Sequence, residues 1–175
     1  ADNYKLIKDW GKCREYATQA LAINHDLKAM KGIAINYELL FNSDFGEKKY
    51  DSASANLERG MQVVPKADDS TLYTLYYLDF GMLKAVAHET DSAAYYFDKT
   101  IELAQSIKDP ANEFAANLAK AQYLTDLPTS EKLLLVKKAY TIATETQNLA
   151  RVAGSAHAMS LIYDQTSNKD SSMAW

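Results

Sequence analysis

Apolar residues recur along this chain with the spacing of amphipathic helices, and the pattern returns with a period of about 40 residues, a length typical of stacked repeats. Four ten-residue segments align without gaps on a small residue, namely 14–23 on Ala20, 55–64 on Gly60, 95–104 on Thr100 and 134–143 on Ala139. Positions −7, −3, +1 and +3 from the small residue are mostly apolar, and together they trace one side of a helix. We therefore predict four equivalent helices.

A second helical segment precedes each of the last three, and one more follows the fourth. These segments span 27–41, 71–89, 112–124 and 148–165. The sequences between helices have the composition of caps and turns, and they include Asn42–Asp44, Asp68–Ser70, Asp109–Pro110 and Pro128–Ser130. Asp, Ser and Thr accept hydrogen bonds from the free amides of a helix start, and Pro fits the first helical turn. The predicted unit is helix A, a turn and helix B, with a longer turn through 42–50 in the second unit.

The unit resembles the tetratricopeptide repeat, a 34-residue helix hairpin with small residues at fixed positions. The third unit carries the resemblance best, because Gly81 matches the small position of helix A, and Ala93 and Thr100 match the two small positions of helix B. In the fourth unit Lys132 replaces the first of those two. The period near 40 looks like that of longer-helix relatives in bacterial regulatory and sensor proteins.

The resemblance implies an all-α fold, a right-handed α-α superhelix built as a solenoid of antiparallel helix hairpins. We expect one such solenoid over 1–175, with units of approximately 1–26, 27–69, 70–109, 110–148 and 149–175. The first unit has no helix A and the last has no helix B, so we expect a fragment of a longer protein. Only 6 Gly and 3 Pro argue against a turn-rich β sandwich.

The charge and the apolar pattern exclude several classes of partner. A net charge of −4 gives no basic patch for nucleic acid or an anionic membrane. No apolar run reaches the roughly 18–20 residues of a membrane span, and the polar N-terminus has no signal-peptide core. We expect no membrane insertion, and the compartment, cytoplasmic or periplasmic, stays undetermined. The single Cys13 excludes an intrachain disulfide.

Motifs for chemistry are weak throughout the chain. His25, His88 and His157 lie far apart in the sequence, so we interpret them as surface or turn residues. Residues 164–175 alternate like a calcium loop, but Lys169 and Trp175 stand where Gly and Glu are required, which favours a polar turn. We predict no catalytic residue, no metal and no cofactor, and therefore no enzyme.

The resemblance also implies where a ligand binds, since helix A of each tetratricopeptide hairpin lines a concave face. The candidate residues carried over from the family are Lys31 and Glu38 in the second unit, Leu78 and Met82 in the third, and Glu113, Lys120 and Tyr123 in the fourth. They form a groove with an apolar centre at Leu78 and Met82. The clustered Lys, Arg and Asn residues of chaperone-binding relatives are missing from this set.

The expected function is non-enzymatic, a protein–protein or peptide binding and scaffolding module. The alternative is a sensor or regulatory region of a larger bacterial signalling protein, either a histidine kinase or a transcription regulator. The 12 tyrosines are explained either by packing between helices or by an aromatic groove for a peptide. Exposed repeat ends leave open a homodimer through those ends.

Overall fold

A computed structural model describes the backbone of residues 9–172 and the side chains of residues 9–164. Within these residues the chain forms α-helices, turns and one short 3₁₀ segment, and no strand. The all-α prediction is therefore confirmed. The elements are α1 Trp10–Asp26, α2 Met30–Gly46, α3 Tyr50–Met61, the 3₁₀ segment Val64–Lys66, α4 Ser70–Val86, α5 Thr90–Ile107, α6 Pro110–Tyr123, α7 Thr129–Glu145 and α8 Leu149–Ser172.

Each of the eight predicted helical segments overlaps one of these helices, and two predicted starts are confirmed in detail. Pro110 is the first residue of α6, and the Asp109 carboxylate accepts a hydrogen bond of 3.2 Å from the Asn112 amide. Pro128 directly precedes α7. Proline has no N–H of its own that would need a partner at a helix start, which explains why both positions could be recognised.

The predicted turn at Asn42–Asp44 is wrong, because α2 continues through Gly46 and the turn has only three residues. Ser43 and Asp44 are buried inside the helix. The Ser43 hydroxyl donates to the Trp10 carbonyl at 3.1 Å, and Asp44 accepts from Arg14 at 2.5 Å and from Asn56 at 2.8 Å. Partners on α1 and α3 therefore satisfy side chains that would otherwise favour a cap.

Six of the turns between helices contain one non-glycine residue in the left-handed region, with φ between 51° and 60°. These residues are Lys28, Lys48, Asp68, His88, Lys108 and Gln147, and the first five recur at a constant interval along the chain. At Lys28 the next amide, that of Ala29, bonds to the Asn24 carbonyl at 2.9 Å, and Lys49 and Glu89 repeat this bond. The pattern is a Schellman closure.

The α6–α7 turn differs because Pro128 stands at the next position of this series, after Lys108. The pyrrolidine ring holds φ in a narrow negative range, and Pro128 has φ −54°. A left-handed residue is therefore excluded at this position. In agreement, α6 ends early, with 14 residues where α2 and α4 each have 17 residues.

The chain divides into two compact units, residues 1–83 and 84–175. In the first unit, α2 packs against α1 through a cluster that contains Leu39 and the buried Cys13. A second cluster joins α2, α3 and α4, and it consists of Ala34, Phe41, Ala53, Leu57, Val64, Leu72, Tyr76 and Leu83. The fully buried Tyr76 donates its hydroxyl to the Ala34 carbonyl at 2.7 Å.

In the second unit, α7 packs against both α6 and α8. One cluster brings Phe114 of α6 to Ile142 of α7, and another brings Ala121 of α6 to Leu135 of α7. Residues early in α6 thus meet residues late in α7, so the two helices are antiparallel.

Candidate functional site

The left-handed turn residue before each A helix serves as a reference point, so that equivalent positions in the A helices can be compared. Counted from Lys28, Asp68, Lys108 and Gln147, the third, seventh, tenth and fourteenth residues that follow lie on one face of a helix. We call this face the A stripe. It consists of Lys31, Ile35, Glu38 and Asn42 in α2, Thr71, Leu75, Leu78 and Met82 in α4, Ala111, Ala115, Leu118 and Gln122 in α6, and Ala150, Gly154, His157 and Leu161 in α8.

The four predicted binding residues of α2 and α4, Lys31, Glu38, Leu78 and Met82, all fall on the A stripe. Their role in binding stays a prediction.

The three candidate residues of α6, Glu113, Lys120 and Tyr123, do not share this face, because they lie off the A stripe and contact α5. Gln105 of α5 donates to the Glu113 carboxylate at 2.7 Å. The Lys120 ammonium lies 2.6 Å from the Asp98 carboxylate, and the rings of Tyr123 and Phe97 are 6.5 Å apart. These side chains hold α6 against the preceding helix. The A stripe of α6 consists instead of two alanines, a leucine and a glutamine.

Burial follows the same order along the A stripe in α2 and in α4. The first position is exposed, the second and fourth are half-buried, and the third is buried. Glu38 and Leu78 occupy the third position with 6% and 9% of their surface exposed, so they offer little contact area to a partner. The accessible part of the stripe in the first unit, which we call the α2–α4 surface, consists of Lys31, Ile35, Asn42, Thr71, Leu75 and Met82.

The apolar side chains of the α2–α4 surface are held in place by packing against the hydrophobic core. Ile35, Leu75 and Met82 all pack against the cluster that contains Ala34 and Tyr76. The Tyr76 hydroxyl reaches across from α4 to the backbone of α2, so the two helices are joined directly beneath these side chains. The three apolar groups therefore belong to a preformed surface.

A cation stands at one end of the α2–α4 surface. The Lys31 ammonium lies 2.6 Å from the Asp69 carboxylate, and 62% of the Lys31 side chain remains exposed. The hydrogen bond from Lys31, followed by those from Thr71, lowers the pKa of Asp69 to about 2. The Asp69 carboxylate is therefore ionised at neutral pH, and the exposed Lys31 side chain remains accessible to a second acidic group.

A polar layer lies beneath the other end. Asn42 donates to the Glu38 carboxylate at 2.6 Å, and Glu38 and Asp79 are both buried. Burial raises the pKa of the Tyr76 phenol, and the negative charges of Asp79 and Glu38 raise it further. Tyr76 therefore stays protonated at physiological pH and acts as a hydrogen-bond donor that holds the helices together.

In the part of the chain that the structure describes, some tyrosines pack between helices, whereas others are exposed, namely Tyr16, Tyr50, Tyr95, Tyr140 and Tyr163. Tyr76 is fully buried, and Tyr73 pairs with Tyr77 at a ring distance of 6.1 Å. Tyr95 and Tyr96 pair at 5.4 Å on α5. No position of the A stripe is a tyrosine, so the apolar part of this face is aliphatic.

Metal ligands do not converge within residues 9–164, where no three His, Cys, Asp or Glu side chains are placed to hold an ion. His25, His88 and His157 are exposed, as predicted. The predicted polar turn from residue 164 onward is wrong for the backbone, because α8 remains helical through Ser172. The side chains after Asp164 lie outside the described residues.

No protein-family model and no curated protein sequence matches the chain. The tetratricopeptide resemblance therefore depends on the residues of the repeat itself. None of the helices in residues 9–172 combines the length and the apolar character that crossing a bilayer requires.

Proposed function

We propose that this chain is a non-enzymatic binding module of the tetratricopeptide type, and that its α2–α4 surface binds a peptide or a helix of a partner protein. The observation that carries the proposal is the row of half-buried Ile35, Leu75 and Met82 on two A helices, backed by one core cluster. Such a row loses its remaining contact with water when an apolar ligand covers it.

The energetics favour a ligand with several apolar side chains. Complete burial of one aliphatic side chain contributes about 1.5–3 kcal/mol relative to full exposure, so the half-buried groups here each contribute part of that amount. The surface is held by the Tyr76–Ala34 hydrogen bond, so little conformational entropy is lost on binding.

The polar ends of the surface set the orientation of the ligand. Lys31 offers an exposed ammonium at one end, and Asn42 stands at the other. We expect the preferred peptide to carry apolar residues in its middle and an acidic residue near Lys31. A charged contact at the rim contributes more to orientation than to affinity.

The test is a selection from a random peptide library, followed by affinity measurements on the enriched peptides by fluorescence polarisation. Leu75→Glu and Met82→Glu place a charge on the apolar row, and each should weaken binding by about tenfold or more, which corresponds to about 1.4 kcal/mol. Leu134→Glu is the matched control, because Leu134 is an exposed leucine on α7 that is not part of the α2–α4 surface. Leu78→Glu is unsuitable, since it would bury a charge.

Enriched peptides that bind Leu75→Glu and Met82→Glu as tightly as the unchanged protein would overturn the proposal. Circular dichroism must show that both variants keep their helix content. A selection that enriches no peptide would also count against it, and would favour the alternative in which this region regulates other domains of its own chain.

A further inference from the structure

The side-chain amide of Asn42 has a fixed orientation at one end of the α2–α4 surface. Its Nδ2 group donates to the Glu38 backbone carbonyl at 2.9 Å and to the Glu38 carboxylate at 2.6 Å. A carboxylate and a backbone carbonyl only accept hydrogen bonds, so the amide cannot turn its oxygen towards Glu38. The N–H groups of Asn42 are therefore used within the protein, and Oδ1 is the atom that remains for a ligand.

The Asn42 carbonyl oxygen is open to such a ligand. Within the described side chains of residues 9–164, no group donates a hydrogen bond to this oxygen. The Asn42 side chain is only half-buried, and the oxygen is not enclosed by the protein. An amide oxygen accepts from an N–H, a hydroxyl, an ammonium or a guanidinium group. Asn42 therefore presents an acceptor, and the ligand must supply the donor.

The charges beneath Asn42 favour a cationic donor over a neutral one. Glu38 and Asp79 are both buried under this end of the surface, and both act on the nearby Tyr76 phenol as negative charges. Interactions between charges are stronger in a poorly solvated environment than in bulk water. A hydrogen bond from a charged donor is also stronger than one from a neutral donor. We therefore expect a Lys or Arg side chain at Asn42.

The two ends of the surface differ in charge. The Lys31–Asp69 ion pair joins the starts of α2 and α4, and the Tyr76–Ala34 hydrogen bond joins their middles, so the two helices run in the same direction. Their dipoles place partial positive charge at the Lys31 end and partial negative charge at the Asn42 end. The surface is thus complementary to a ligand that is acidic at one end and basic at the other.

We propose that the α2–α4 surface recognises a peptide in which an acidic residue and a basic residue stand on either side of an apolar segment. The acidic residue binds the Lys31 ammonium, and the basic residue donates to Asn42 Oδ1. The apolar segment lies over Ile35, Leu75 and Met82. This inference rests on the proposed function, and it adds the basic residue and the distance between the two charges.

The positions of Lys31 and Asn42 set that distance. The two residues are 11 positions apart in α2, and a helix rises about 1.5 Å per residue, which separates them by about 16 Å along the axis. An extended peptide covers this distance with about five residues, because each residue spans about 3.3 Å. The acidic and basic residues of the ligand should therefore be separated by about four apolar residues.

The probe is a displayed library of short peptides in which about four apolar residues, drawn from Leu, Ile, Val, Met and Phe, separate two charged positions. Its pools carry Glu and Lys in either order, Glu at both positions, or Lys at both positions. We expect enrichment of the mixed-charge pools over the like-charge pools. By fluorescence polarisation, the enriched peptides should bind about two- to fivefold more tightly than copies with Gln in place of Lys.

Two protein variants assign each charge of the peptide to its partner. Asn42→Leu should remove the preference for Lys over Gln and keep the preference for Glu over Gln, whereas Lys31→Met should do the reverse. A general loss of structure would weaken both preferences together, and circular dichroism verifies that each variant folds. The exchange of Lys for Gln in the peptide tests the inference on the unchanged protein as well.

Failure of this inference is distinguishable from failure of the proposed function. If all pools are enriched alike and Met82→Glu removes the enrichment, the surface binds apolar peptides regardless of charge, and only the inference is overturned. Preferential enrichment of a like-charge pool, or an unchanged preference for Lys in Asn42→Leu, also overturns it. If no pool is enriched, or if Met82→Glu binds like the Leu134→Glu control, the proposed function and the inference are both overturned.

Discussion

The packing of Tyr76 over Gly60 predicts that Gly60→Ala destabilises the protein. Gly60 is buried near the end of α3. A Cβ atom built there would lie 2.7 Å from Cε1 of Tyr76 and closer still to its hydroxyl oxygen. Tyr76 is fully buried and bonds to the Ala34 carbonyl at 2.7 Å, so its ring has no open space to enter.

The expected change in the free energy of unfolding is the sum of one stabilising and two destabilising contributions. Replacement of glycine by alanine in a helix normally stabilises by about 1 kcal/mol. Overpacking a buried site costs about 1–3 kcal/mol, and loss of the Tyr76–Ala34 hydrogen bond costs about 0.5–1.5 kcal/mol more. We therefore expect a net loss of about 1–3 kcal/mol in the free energy of unfolding.

The assay is urea unfolding followed by far-UV circular dichroism, with two other glycines as controls. A Cβ atom at Gly154 in α8 meets nothing within 4 Å, so Gly154→Ala should stabilise by up to about 1 kcal/mol. At Gly11, in the same unit as Gly60, the nearest atom is 3.9 Å away, and no loss is expected. If Gly60→Ala raises the unfolding midpoint as Gly154→Ala does, the packing argument is refuted.

Two further predictions concern the turns and the charges. Lys48 has φ 60°, and Lys48→Gly should stabilise by about 0.5–1 kcal/mol in urea unfolding, because glycine adopts this conformation without strain; a lower midpoint would contradict this. The pKa of Asp69 is about 2 in the folded state and lies below its ordinary value of 3.8, so its stabilisation is present above about pH 4 and is lost as pH falls towards 2. The measurement is the difference in the free energy of unfolding between about pH 5 and about pH 2. Lys31→Met should make this difference smaller, by less than about 1 kcal/mol because Lys31 is exposed. An unchanged difference would contradict the prediction.

The helices could be predicted because the spacing of apolar residues is a local property, which can be recognised without knowing the fold. Each of the eight segments was found from its own residues, and Pro110 and Pro128 marked two starts. The end of α2 could not be found in this way. Ser43 and Asp44 have the composition of a cap, and only Trp10, Arg14 and Asn56 on neighbouring helices make the helical conformation favourable for them.

The register of the A stripe was harder to predict than the helices. Glycine is the usual mark of a left-handed helix end, but here Lys, Asp, His and Gln take that conformation. The turn residue from which helix positions are counted was therefore not recognisable in the sequence. As a result, the candidates of α6 lie on a different face from those of α2 and α4. A signal did exist, because polar residues follow apolar ones at Lys28, Asp68, His88 and Lys108, which belong to one evenly spaced series.

The small position in helix B shows where local patterns stop being informative. Gly60 aligns with the small residues Ala20, Thr100 and Ala139, which leave room for a close crossing, and Gly60 is buried. What crosses there is the ring of Tyr76, a residue of the next A helix. A glycine specifies that space is needed but not which side chain fills it, because the partner is fixed by how α4 packs on α2 and α3. The same holds for the α2–α4 surface. The sequence does not distinguish its accessible residues from Glu38 and Leu78, because tertiary packing determines that these two are buried.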